Sequence, residues 1–284
     1  MKKQSFLTFL LFLLISLSYG QSKYRSIENR AFKTGEITQY RIHYGFVDAG
    51  ETLLEVKQEY KDIGNRKCFH VVGLGQTKGT FDWFFKVRDR YETYIDKEAI
   101  IPFVFIRRVD EGGYTINQNV TFNQQKKTAT SEKLTIPVPE NVQDLVSAFY
   151  YARTLDFTEA KPGAIFPIDA YLDDEVFSMN IKFIGREVIK TKFGNIRCIK
   201  FRPMLLEGRV FKEEEDMTIW VSDDENKIVV RAQAEIKGLF RTRKPLLFKS
   251  EVTKRKDRIF PVINLIQLIY YFKFFLCLQT PIFL

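Results

Sequence analysis

Acidic side chains beside turns are the first groups in this 284-residue chain whose type and spacing could do chemistry. Two carboxyl groups that meet in one cleft can serve as general acid and general base, the arrangement that hydrolyses glycosidic bonds. Acids at turns also cap backbone amides or pair with nearby arginines such as Arg107, Arg108 and Arg186. Both roles stay open for the acidic residues in question, which are Asp110, Glu111, Glu187, Asp223 and Asp224.

One strand-like segment carries a dense alternation of charges. Because successive side chains of a strand point to opposite faces, Arg88, Arg90 and Glu92 share one face, while Asp89 and Tyr91 share the other. We favour a solvated ladder of ion pairs on the first face. The alternative is a binding site for an anionic ligand.

Histidine and cysteine are too sparse to indicate a metal site. His43 and His70 are the only histidines, and neither lies in a cluster with the spacing of metal ligands. Cys68 and His70 would share a strand face, as a ligand pair or a nucleophile with its base, but a half-buried strand is the simpler interpretation. No phosphate-binding or dinucleotide motif occurs, so we expect neither a metal nor a cofactor.

Aromatic residues make up 15% of the chain and concentrate in the segment 81–85. We favour core packing for this segment, whereas a curved sheet lined by such rings could instead hold an acyl chain or the face of a sugar. Together, these motifs supply the candidate binding residues of the chain, which are Trp83, Arg88, Arg90, Tyr91, Glu111, Arg186 and Trp220.

Alternation of apolar and polar residues recurs along most of the chain and predicts the elements that position these groups. Strands with one wet face favour antiparallel sheets. The fold class is therefore all-β, a curved antiparallel sheet or incomplete β-barrel of roughly twelve strands. One helix is predicted over about residues 141–155, with Asn141 as its N-cap, because apolar residues there have helical spacing.

The beginning of the chain has the pattern of a secretory signal peptide. Lys2 and Lys3 precede an apolar run that is too short to span a bilayer, and small residues end it near Gly20. We expect residues 1–20 to be removed and residues 21–253 to form a single β-rich exported domain. The chain as a whole has a net charge of +9, but the domain has one of +3, which does not indicate a nucleic-acid partner.

The end of the chain, residues 254–284, is basic and then almost wholly apolar. Three interpretations stay open: a tail that is not part of the folded domain, a membrane or surface anchor, and packed structure. Cys68 and Cys198 are the cysteines of the domain. They could form a disulfide, although two buried free thiols are the simpler expectation.

A set of motifs, in a fixed order, resembles an exported bacterial family known as domain of unknown function 3108. The resemblance covers about residues 35–236 and implies a periplasmic location, but it implies no reaction and no catalytic residues. The motifs are Gly35-Glu36, Tyr44-Gly45, Ala49-Gly50, Arg88-Asp89-Arg90-Tyr91-Glu92, Glu111-Gly112-Gly113-Tyr114, Asp144 with Ser147-Ala148, Tyr150 to Arg153, Gly185-Arg186-Glu187 and Trp220-Val221-Ser222-Asp223-Asp224.

Export, aromatic content and the lack of a catalytic signature lead to one functional hypothesis. We expect a non-catalytic protein of the cell envelope that binds or carries a lipid, a glycan or an envelope polymer. The alternatives are a hydrolase that acts on envelope sugars through paired carboxylates, and a structural or assembly partner in the envelope. The apolar tail could add contact with a membrane.

Overall fold

The computed structural model describes residues 24–44, 47–204, 217–236 and 246–255, the last segment by its backbone. The predicted signal peptide lies outside these residues, as does the apolar part of the predicted tail. None of the helices in the described part of the chain is long and apolar enough to cross a membrane.

Two groups of strands, one from each half of the chain, make up most of the molecule. The strands of the first half are β1 (Ile37–Tyr44), β2 (Val47–Val56), β3 (Lys61–Ile63), β4 (Arg66–Thr77), β5 (Arg88–Asp96), β6 (Pro102–Glu111), β7 (Tyr114–Asn123), β8 (Thr128–Thr130) and β9 (Thr135–Pro137). Those of the second half are β10 (Gln143–Asp144), β11 (Ile165–Phe166), β12 (Asp169–Leu172), β13 (Glu175–Ser178), β14 (Asn180–Thr191), β15 (Gly194–Met204), β16 (Met217–Ser222), β17 (Val229–Ile236) and β18 (Leu246–Arg255).

One long antiparallel sheet contains fifteen of these strands, in the order β11, β14 to β18, β1, β2 and β4 to β9, with β3 paired to β4. Its two outermost strands in the described residues are β11 and β9, so the sheet is open rather than a closed barrel. The three strands β10, β12 and β13 form a small second sheet. The predicted all-β antiparallel architecture is confirmed. The count exceeds twelve because seven of the described strands have four residues or fewer, too short to show alternation.

The core lies on the concave face of the long sheet, under a single ten-residue helix. This helix, α2 (Leu145–Thr154), follows the shorter α1 (Gly79–Phe84) in the chain. Ala148 of α2 packs in an apolar cluster with strands β14 to β17 of the second half, whereas Val146 and Tyr150 pack in a cluster with strands of the first half. The helix therefore joins the two halves of the sheet.

The predicted helix is present, but it begins at Leu145 and not near Asn141. Asn141 has a φ of 61° and lies in a turn. Asp144 is the N-cap instead, because its Oδ1 accepts hydrogen bonds from the amides of Val146 and Ser147, each at 2.8 Å. Gln143 and Asp144 also pair in parallel with β12, which holds them extended and delays the helix.

A buried ion pair fixes α2 to the rest of the fold. Nη1 and Nη2 of Arg153 donate to the two carboxylate oxygens of Glu36 at 2.6 and 2.9 Å. Nη2 also donates to the carbonyl of Ala31, and Nε donates to the carbonyl of Asn226. One guanidinium thus connects the segment before β1, the helix and the turn between β16 and β17.

The last described strand, β18, belongs to the long sheet. Strand β18 pairs with both β17 and β1, although residues 237–256 lack clean alternation in the sequence. It continues to Arg255, two residues beyond the boundary expected at 253.

Cys68 and Cys198 are free and buried, as expected, and pack in separate clusters on the outer face.

Candidate functional site

The outer face of the first half carries a groove of about 350 Å³, the outer-face groove. Strand pairing builds it, because Leu53 lies opposite Leu74 and Leu74 lies opposite Arg90. In the next row, Gln76 lies between Glu51 and Arg88. The groove therefore has an apolar floor with polar walls, and its full lining is Gln39, Glu51, Leu53, Leu74, Gly75, Gln76, Arg88, Asp89 and Arg90.

Glu51 is the centre of one wall. Its carboxylate accepts hydrogen bonds from Nε2 of Gln39 at 3.0 Å and Nε2 of Gln76 at 2.6 Å, and Nζ of Lys78 lies 2.5 Å away. Burial alone would raise the pKa of Glu51, but the hydrogen bonds from Lys78 and Gln76 lower it below the ordinary value. This carboxylate is therefore ionised and held in place, with planar amides on both sides.

The opposite wall contains the predicted ladder of ion pairs. Arg88 donates two hydrogen bonds to Asp82, at 2.6 and 3.0 Å. Nε of Arg90 donates to Glu92 at 2.7 Å, and the other oxygen of Glu92 lies 2.6 Å from Nε2 of His70. The favoured ladder of ion pairs is present. The terminal nitrogens of Arg90 make no hydrogen bond to the residues that the structure describes.

The side chains of Asp89 and Tyr91 point inward, so the structure does not place them with those of Arg88 and Arg90. Tyr91 is fully buried and stacks on Phe105. Asp89 borders the groove between Arg88 and Arg90, but it is buried and interacts with Glu111 on the concave face. Burial, with repulsion from Glu111, raises the pKa of Asp89 to about 8. This acid pair is enclosed, and Tyr91 and Glu111 cannot contact a ligand in the groove.

The same concave face holds a second set of buried charges. Arg107 is fully buried, and its Nη1 donates to Gln118 at 3.1 Å and to Asp173 at 2.8 Å. Asp174 accepts hydrogen bonds from the hydroxyl of Tyr171 at 2.6 Å and from Gln118 at 3.2 Å. Asp173 and Asp174 form the turn between β12 and β13, with φ values of 53° and 61°. These bonds hold a turn that usually needs Asn or Gly.

The core packing favoured for the aromatic segment does not extend to Trp83, one of the candidate binding residues. It lies on α1 and is 88% exposed, whereas Phe81 packs partly against the core. Phe85 follows the helix and packs against Gly112, where an added Cβ would lie 2.1 Å from the ring. Most of the segment thus lies on the six-residue helix α1, which exposes Trp83 to solvent.

The remaining candidates, Arg186 and Trp220, lie in the second half. Nε1 of Trp220 donates to Glu187, and the ammonium of Lys200 lies 5.3 Å from the centre of the indole ring. Arg186 lies 3.4 Å from Asp223, which also pairs with Arg197 at 2.7 Å. These residues share no cleft with Arg88 and Arg90.

Four of the five acids that could have formed a catalytic pair are separated or already engaged. Asp223 and Glu187 are held by basic partners in the second half. Asp224 accepts hydrogen bonds from Ser222 and from two turn amides, and Glu111 lies in the first half. This arrangement does not favour glycoside hydrolysis by these groups.

The surroundings of Cys68 and His70 do not favour nucleophilic chemistry. Burial raises the pKa of the Cys68 thiol to about 12, so the reactive thiolate is not formed near neutral pH. His70 stacks on Tyr94 at 4.5 Å between ring centres and bonds to Glu92. Across the described ranges, no group of three or more His, Cys, Asp or Glu side chains is placed to hold a metal ion.

Several residues of the groove could not be singled out from the sequence. Glu51, Gln76 and Leu74 belong to three strand-like runs with ordinary alternation. Their proximity depends on the register of β2 against β4 and of β4 against β5. Strand alternation gives the face on which each lies, but register follows from the folded sheet.

Comparison with known proteins gives one family match. The model of the family described as a protein of unknown function, DUF3108, matches residues 39–238. No curated protein matches the chain.

Solved structures give matches of low identity. They include a β-barrel-like protein of the DUF1849 family from Brucella abortus, 8% identical with a TM-score of 0.48, which covers 79% of this chain and 98% of the other. A DUF1089 family protein from Pseudomonas aeruginosa is 11% identical with a TM-score of 0.35, over 79% and 98%. A presumed exported protein with a YmcC-like fold from Bacteroides fragilis is 12% identical with a TM-score of 0.28, over 83% and 100%.

Proposed function

The chain belongs to the DUF3108 family, and from this premise and the geometry of the first half we propose that it is an exported, non-catalytic envelope protein that binds a glycan in the outer-face groove. The observation that carries the proposal is the groove itself. Its volume of about 350 Å³ lies within the range of about 300–1,000 Å³ that is typical of ligand sites.

The chemistry of the walls favours a ligand rich in hydroxyl groups. Glu51 supplies an acceptor, and Arg90 supplies donors from terminal nitrogens that have no partner in the described residues. The carbon-bound hydrogens of a sugar ring can pack on the floor formed by Leu53 and Leu74. A glycan uses both kinds of contact at once, whereas a simple anion would use the arginine alone.

Charge balance distinguishes a neutral glycan from a polyanion. Three basic groups, Lys78, Arg88 and Arg90, face three acidic groups, which are Glu51, Asp82 and Glu92. The surroundings of the groove are therefore close to neutral. This balance supports a neutral or weakly charged glycan over the anionic ligand considered from the sequence.

The interior of the sheet supports a lipid less well. The apolar cavity on the concave face, under α2, has a volume of only about 40 Å³. A drug-sized ligand needs several times that space. The groove is the larger site, and its polar walls suit a sugar better than an acyl chain.

Titration calorimetry on the mature protein tests the proposal. The probes are a soluble oligosaccharide of N-acetylglucosamine, a neutral glucan and a sulfated glucan of equal length. We expect at least one neutral probe to bind more tightly than the sulfated one. Replacement of Arg90 by Ala should weaken that binding about tenfold, because a hydrogen bond from a charged group contributes roughly 1.5–3 kcal/mol.

Arg41→Ala is the matched control. Arg41 lies on the same face in β1, half-exposed beside Asp48, but does not line the groove. Its replacement should leave the dissociation constant unchanged. The proposal is overturned if none of the oligosaccharides binds, or if Arg90→Ala binds the preferred probe as tightly as the unaltered protein does.

A further inference from the structure

The second half contains an apolar cavity that is separate from the outer-face groove. Helix α2 forms one wall through Ala148 and Ala152, and the concave face of the sheet forms the other through Ile181, Phe201 and Ile219. Phe149, Ala152 and Lys227 also line the cavity and are partly exposed, so the cavity reaches the surface on this side.

Lys227 gives this opening a positive charge. Its ammonium forms no hydrogen bond or ion pair with the residues that the structure describes. Three carboxylates act on it electrostatically, but each is occupied elsewhere, Asp156 with Thr158, Asp224 with the turn amides and Glu225 with Arg30. Burial lowers the pKa of Lys227 below its ordinary value. A half-buried ammonium is thus left beside an apolar space.

The second cation at the cavity is already neutralised. Arg153 lines the cavity too, but both of its terminal nitrogens are bound to Glu36. An anion that enters therefore has one free partner among the described residues, the ammonium of Lys227. The ammonium of Lys227 can therefore pair with an anion next to the apolar wall.

We propose that this cavity binds an unbranched aliphatic carboxylate, with its carboxylate on Lys227 and its first methylene groups between α2 and the sheet. Both parts of the ligand are needed, since the apolar lining offers a carboxylate no other partner and the ammonium offers an alkyl chain no packing. The site lies in the half of the sheet opposite to the groove and is independent of the proposed glycan binding.

The volume sets the length of the chain that fits without rearrangement. About 40 Å³ holds roughly three water-sized groups, because each needs about 10–15 Å³. The cavity as it stands therefore holds about the first three methylene groups of an acid such as hexanoate. A long fatty acid needs side chains to move, and Met179, a flexible residue in the lining, is the one best suited to do so.

Methyl NMR on the mature protein tests the site with hexanoate, hexadecanoate and hexanol as probes. Hexanoate should shift the methyl signals of Met179, Ile181 and Ile219, and leave those of Ile95 and Ile100 in the first half unchanged. Hexanol should bind at least tenfold more weakly. Binding of hexanoate alone would identify a short free acid as the ligand class, and tighter binding of hexadecanoate would identify a fatty acid.

Two variants separate the charge from the cavity. Lys227→Gln should reduce hexanoate affinity to that of hexanol, whereas Lys190→Gln, an exposed lysine of β14, should change nothing. Ala152→Leu should fill the cavity and abolish binding of every probe without lowering the melting temperature. Unshifted signals at Met179, Ile181 and Ile219 with all three probes, or equal binding by the unaltered protein and Lys227→Gln, would overturn the proposal.

Discussion

The two halves of the long sheet bury different kinds of side chain on the same concave face. In the first half this face holds Asp89, Arg107, Glu111 and Gln118, all buried. In the second half, the corresponding face of β14 to β17 is apolar among the described residues, and the packed residues are mainly Ile, Val, Phe and Met. The first half thus adds directional polar bonds to its apolar cluster, whereas the described face of the second half is held by apolar packing.

This difference explains where each half keeps space for a ligand. Hydrogen bonds from Arg107 and Gln118 hold the β12–β13 turn on the concave face of the first half, and the groove of this half lies on its outer face. The burial of apolar side chains in the second half is non-directional. A small cavity lies inside the second half, where the end of α2 meets the sheet.

The largest expected effect comes from Arg153, the group that joins the halves. Arg153→Met should lower the free energy of unfolding by about 3–5 kcal/mol, because it leaves the buried carboxylate of Glu36 without its partner. Denaturant unfolding measures this change. Arg197→Met is the control, since Arg197 is 72% exposed in its pair with Asp223 and should contribute at most about 1 kcal/mol. Equal losses in the two variants would contradict the role given to Arg153.

A smaller loss is expected at Arg107, which tests the polar half alone. Arg107→Met should cost about 2–3 kcal/mol, because hydrogen bonds to charged groups are lost while Asp173 is partly exposed and can be rehydrated. A double-mutant cycle with Asp173→Asn should show that most of the loss is shared by the pair. Arg108→Met, on the outer face, should cost less than about 1 kcal/mol. Additive losses for Arg107 and Asp173 would show that the turn is held in another way.

The acid pair gives the polar half a pH dependence. The pKa of Asp89 is raised from 3.8 to about 8, so between these values the folded state holds a proton that the unfolded state has released. The free energy of unfolding should therefore fall as the pH rises from about 4 to 8, by at most about 1.4 kcal/mol per pH unit. Urea titrations at several pH values measure the slope.

Two substitutions isolate this effect from other titrating groups. Asp89→Asn removes the titrating group and should flatten the slope over that range. Glu111→Gln removes the repulsion and should make it shallower. A slope that is unchanged in Asp89→Asn would assign the pH dependence to other residues.

The sequence predicts correctly those features that depend on the alternation within a single strand or on the periodicity of a single helix. Alternation predicts that Arg88 and Arg90 share a face opposite Tyr91, and the burial of these residues agrees. It also identifies the helix, but not its start, because the pairing of Gln143 and Asp144 with β12 is a contact between distant parts of the chain.

Register and tertiary contacts account for what the sequence could not supply. Glu51 and Arg88 become neighbours of Gln76 only through two separate strand pairings. Lys227 belongs to no sequence motif, and it is a candidate binding residue because of the cavity beside it in the fold. Core packing was favoured for the whole segment 81–85 on composition, but composition does not tell which residues of a six-residue helix face outward.

The smallest expected effect on stability is at Trp83, although tryptophan has the largest side chain. Trp83→Ala should change the free energy of unfolding by no more than about 0.5 kcal/mol, because the indole has little packing to lose. Fluorescence provides a direct check, since Trp83 and Trp220 are the only tryptophans. Trp83 should emit as an indole in water, measured in Trp220→Phe, and Trp220 should emit as a buried one, measured in Trp83→Phe. A blue-shifted Trp83 would mean that something covers α1, and its stability effect should then rise toward that of a buried aromatic residue.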